Sequence, residues 1–141
     1  MATKQDFTEP EWTALHKGVT GSGLLVSLSD RGFSDTFGEV NAMAKHLAQQ
    51  HVASSSELVR ALAGIHGTGF GLGASPERVR TETLDALRSS VATLNAKAPA
   101  DAEPYRQLVL EVAEAVAEAK GGKSAVESAV IDQLREALGA A

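Results

Sequence analysis

The sequence predicts an all-α protein, a single compact bundle of about five to seven helices forming one domain over residues 1–141. Three observations carry this. A Thr or Ser followed three residues later by Glu, just ahead of an apolar stretch, occurs at Thr8–Glu11, Thr36–Glu39, Ser54–Glu57 and Ser124–Glu127. In such a capping box the hydroxyl and the carboxylate each satisfy an amide that a helix start leaves unbonded. The apolar residues after each box recur at intervals of three and four, the period of a helix with one buried face. No segment alternates apolar and polar residues between hairpin turns, as a half-buried strand does.

Taken in order, residues 1–6 are expected to be a flexible lead-in. Phe7 and Trp12 then flank the first box at the positions of a hydrophobic staple. The first helix presents Trp12, Leu15, Val19 and Val26, with Gly18, Gly21 and Gly23 between them. Each interior glycine costs about 1 kcal/mol against Ala. Three of them imply either a break or a face pressed against another backbone, and a continuous helix crossed closely by a neighbour is the expectation. Residues 29–35 read as a turn. The Thr36 box opens a stripe of Val40, Met43, Ala44, Leu47 and His51, and the Ser54 box opens a short helix with Leu58, Ala61, Leu62 and Ile65.

The segment 67–74, with four glycines around Phe70 and Leu72, reads as a loop. Ser75-Pro76-Glu77 restarts a helix with proline at its first position, followed by Leu84, Leu87, Val91 and Leu94. Ala98-Pro99-Ala100 reads as a connector. Asp101 reads as the cap of the next helix, with Pro104 in its first turn, where a missing amide costs little. Leu108, Val112, Ala115, Val116 and Ala119 form its stripe, Gly121-Gly122 stops it, and the Ser124 box leads into Val126, Val130, Leu134 and Leu138. Trp12-x2-Leu15-x3-Val19 matches Tyr105-x2-Leu108-x3-Val112, which suggests two similar helix hairpins.

Composition narrows the function classes. Aromatics are 4 %, so the core must be built of Ala, Val and Leu, which suits close-packed helices. A net charge of −5 argues against a general nucleic-acid binder, whose affinity comes from Lys and Arg on phosphates. It fits a cation, a basic partner or simple solubility. There is no cysteine, hence no disulfide and no thiolate zinc site. The first residues lack the apolar core of a signal peptide. The apolar run Val19–Leu28 is too short to span a bilayer, so a cytoplasmic location is the default and peripheral membrane association stays open.

Candidate chemistry is sparse. The 67–74 glycines lack a preceding strand, a G-x-G-x-x-G pattern and a following Lys, so a helix–helix loop outweighs a phosphate cradle. Gly121-Gly122-Lys123-Ser124 resembles the end of a nucleotide-binding loop, but Ala117 stands where that motif needs glycine. A glycine stop followed by a serine cap explains the same letters. His16, His46, His51 and His66 show no metal-ligand spacing. Glu111, Glu114 and Glu118, at i, i+3 and i+7, form an acidic stripe opposite an apolar one. Such a stripe is usually a solvated face, or it joins other carboxylates to offer oxygen ligands to a hard cation such as calcium.

Phe7-Thr8-x2-Glu11-Trp12-x2-Leu15, the apolar helix after it, Ser29-Asp30-x-Gly32 and Gly38-Glu39 resemble the opening of the tellurite-resistance TerB-like proteins. Residues 113–122, Ser124-x-x-Glu127 and Leu138-Gly139 are similar to their closing hairpin, so the resemblance covers both ends of the chain. It implies a compact all-α fold, stress-related or membrane-associated roles, and acidic residues that hold a divalent metal such as Ca2+. Asp30 and Glu39 match the acidic positions of the first hairpin and Glu127 that of the second, and Glu118 stands where many relatives have a second acidic or small residue. Of these, Asp30 has no helix-capping duty.

The leading expectation is therefore a non-enzymatic TerB-like module that works through protein contacts, with a protein partner or a second copy of itself, and binds a divalent cation through Asp30, Glu39, Glu118 and Glu127. No cofactor is assigned with certainty. Phe33, Phe37, Phe70 and Leu72, apolar residues in turns, are the candidate contacts. The alternative is an enzyme or small-ligand binder with an inter-helix pocket near His16, His46 and the glycine-rich loop.

Overall fold

The computed structural model describes residues 4–29, 45–49, 57–63, 75–118 and 125–139. Among them are a 3-10 turn, Lys4–Asp6, and the helices α1 (Glu9–Ser29), α2 (Glu57–Ala63), α3 (Pro76–Lys97), α4 (Pro99–Glu118) and α5 (Ala125–Ala137). Residues 45–49 are also helical, and no strand occurs among the described residues. The all-α bundle expected from the capping boxes and stripes is the fold observed. Among the described residues no helix is long and apolar enough to cross a membrane.

The start of α1 forms as its sequence dictates. The Thr8 amide donates to Glu11 Oε1 at 2.8 Å and the Glu11 amide donates to Thr8 Oγ1 at 3.2 Å. Phe7 and Trp12 close over this box with ring centroids 6.2 Å apart, both buried. Lys4–Asp6 makes a 3-10 turn whose Asp6 carbonyl accepts from Lys97 Nζ at 3.5 Å. The same ammonium pairs with Glu11 at 2.6 Å and lies 6.0 Å from the Phe7 ring centre. One lysine at the end of α3 thus ties down the whole N-terminal approach.

α1 continues unbroken through its three glycines, all buried. It packs most extensively on α3, then on α4, and also touches α5. The pairs Glu11–Lys97 and Lys17–Glu82 show that α1 and α3 run antiparallel. Leu15, Val19 and Val26 are fully buried, as are Leu87 and Leu94 of α3 and Leu108 and Val112 of α4. The matched stripes beginning at Trp12 and Tyr105 therefore face one core. Burying each such aliphatic side chain stabilises by about 1.5–3 kcal/mol. Buried hydroxyls on α1 are satisfied within the helix, with Thr20 donating to the His16 carbonyl and Ser22 to that of Gly18.

Gly18 is where α1 is crossed. A Cβ there would run into Tyr105 Oη from α4 and come within 2.8 Å of Leu87 Cδ2 from α3. The space is filled by the Tyr105 phenol, which is fully buried and donates to the Leu15 carbonyl at 2.8 Å. Burial pushes this phenol well above its ordinary range, an effect partly opposed by the nearby Ser90 hydroxyl. Ser90 Oγ itself meets no hydrogen-bond geometry, so the bond that fixes the ring is the one to Leu15. The neutral phenol acts as a donor because ionisation so far from water is costly.

The junction of α3 and α4 departs from expectation. The three-residue connector is a single residue, Ala98, which leaves helical geometry at φ −150°, ψ 65° while its amide still bonds the Leu94 carbonyl at 2.7 Å. A residue before proline is disfavoured in the helical region, so Ala98 ends α3 and Pro99 begins α4. Asp101 is consequently not the cap but a buried residue of the first turn, its amide bonded to the Ala98 carbonyl at 2.9 Å. Pro104 then sits inside α4 and removes the donor that the carbonyl of solvent-exposed Ala100 would have received. Ser75 caps α3 as expected, accepting from the Arg78 amide at 3.1 Å.

α2 packs against α4, and its Leu58 and Leu62 are buried in the core. α5 buries Ile131 and Leu134, and Arg106 of α4 secures its end by donating to the Leu138 carbonyl at 2.9 Å. The chain leaves α5 through Gly139 at φ 68°, a left-handed conformation that glycine adopts without strain.

Candidate functional site

Two surface grooves, both open to solvent, each gather several titratable residues. The first, about 630 Å³, lies between α1 and α3 and is lined by Glu9, Thr13 and Lys17 on one side and Glu82, Asp85 and Ser89 on the other. Lys17, Glu82 and Asp85 are engaged in ion pairs. Lys17 Nζ is 2.6 Å from Glu82 Oε1, and Arg78 Nε bonds the other oxygen of the same carboxylate. The Lys17 bond first, and the Arg78 bond second, hold the Glu82 carboxyl below its ordinary value. Asp85 faces Arg88 at 3.4 Å. A carboxylate clamped between two cations stays ionised, the opposite of what a general acid requires.

The second groove, about 440 Å³, lies between residues 45–49 and α4 and is lined by His46, Leu110, Glu111, Glu114, Ala115 and Glu118. It is the acidic stripe read from the sequence, now with a histidine across from it. His46 Nε2 is 3.2 Å from Glu111 Oε2, an ion-pair distance that lacks hydrogen-bond geometry. Their attraction therefore depends on the imidazole carrying a proton. Glu114 reaches Arg135 of α5 at 3.7 Å, while Glu111 and Glu118 are exposed. Leu110 and Ala115 flank the carboxylates on the two edges of this helix face. Such a surface attracts a cation or a basic side chain with an aliphatic stem.

Of the four residues expected to hold a cation, Glu118 is the last residue of α4 and lines this groove. Glu127 lies in the first turn of α5, and its side chain is outside the described residues, as are Asp30 and Glu39. The expected contact residues Phe33, Phe37, Phe70 and Leu72 also lie outside them. Among the described residues no group of three or more His, Asp or Glu side chains is arranged to hold a metal. His16, named with His46 in the alternative pocket reading, is on α1 and lines neither of these grooves.

The three glutamates are legible in the sequence from their spacing, but their neighbours are not. His46 reaches Glu111 from a segment 65 positions away, and Arg135 reaches Glu114 from the next helix. Neither has a spacing signal in the chain. Compared with known proteins, this chain matches no family model, no curated sequence and no solved structure.

Proposed function

We propose that this protein is a non-enzymatic helical module that works through protein contacts, with the acidic groove of α4 receiving a basic segment of its partner. The observation that carries the reading is that Glu111, Glu114 and Glu118 line one groove with His46, flanked by the apolar Leu110 and Ala115. The perturbed groups elsewhere favour the same conclusion. Glu11 and Glu82 are held in the ionised form by structural partners, and Tyr105 is locked in the core. Active sites instead tune such groups toward the working pH. The resemblance to TerB-like proteins supports a stress-related setting and adds a divalent cation, for which Glu118 would act with Asp30, Glu39 and Glu127.

The test is calorimetric titration of the intact chain with a lysine-rich peptide and, separately, with calcium, magnesium and zinc. The reading predicts stoichiometric, salt-sensitive peptide binding that is lost in Glu111→Gln/Glu118→Gln, a variant expected to keep the wild-type melting temperature. Absence of peptide binding at low salt would overturn it. Metal binding that persists in that variant but disappears in Asp30→Asn would separate the cation from the groove.

A further inference from the structure

We draw no further inference here: the strongest candidate, the acidic groove between residues 45–49 and α4, belongs to the site already described, and nothing in the structure beyond its carboxylate cluster shows what covers it.

Discussion

Tyr105 occupies the space that a side chain at Gly18 would need, and from there its hydroxyl bonds the carbonyl of Leu15 one turn away on α1. The contact joins α1 to α4 at the point where Leu87 of α3 also arrives. Three helices thus meet at one missing side chain.

This relationship predicts a sign opposite to that of helix propensity. Gly18→Ala should gain about 1 kcal/mol from propensity. Against that, overpacking a filled core costs about 1–3 kcal/mol, and displacing the phenol forfeits a hydrogen bond worth about 1 kcal/mol. The variant should be destabilised by about 2 kcal/mol in urea unfolding. Tyr105→Phe should cost about 1 kcal/mol alone and remove the atom that the new methyl strikes. Gly18→Ala should therefore cost clearly less in the Phe background, and strict additivity in that double-mutant cycle would refute the contact.

The capping box at Thr8 gives a second, independent number. Thr8→Ala removes the acceptor of the Glu11 amide and should lower stability by about 1 kcal/mol. Hydrogen exchange should quicken at the first turn of α1 while the amides of α5 keep their protection. Equal loosening of both helices would show that the box does not act locally.

The clamp on Glu82 fixes a pH dependence. Its folded carboxyl is held below 4.5, first by Lys17 and then by Arg78. Stability from this shift is therefore present above 4.5 and is lost as pH falls through the lower folded value. Glu11 behaves likewise, chiefly through Lys97 and then through the Thr8 amide. Glu82→Gln should be less stable than wild type at pH 7, with the two curves converging in acid. Added salt should narrow the gap at pH 7, because the side chains involved remain partly exposed. A gap that widens on acidification would mean that the carboxylate does not stabilise the fold.

Much of this architecture was legible because its causes are local. Thr8–Glu11 and Ser75 announce helix starts within four residues, and the stripes through Leu15, Leu87 and Leu134 mark faces that are indeed buried. The glycines of α1 signalled a close crossing, but which residue crosses was not readable, since Tyr105 lies 87 positions beyond Gly18 and only packing brings them together. At the α3–α4 junction two local signals compete. Asp101 is a good cap, yet the restriction that Pro99 places on Ala98 acts first along the chain and sets the boundary. The acidic stripe of α4 was visible from spacing alone. The groove's other side is supplied by His46, which comes from a distant segment, and Arg135 of α5 pairs with Glu114 beside it.

The proposed function stands or falls on that groove. The most direct measurement is backbone amide chemical-shift mapping of the intact protein during titration with a lysine-rich peptide. Saturable shifts are expected along residues 110–118 and at His46, with residues 9–17 and 82–89 unmoved and the response abolished in Glu111→Gln/Glu118→Gln. Shifts confined to the α1–α3 groove, or none along α4, would contradict it.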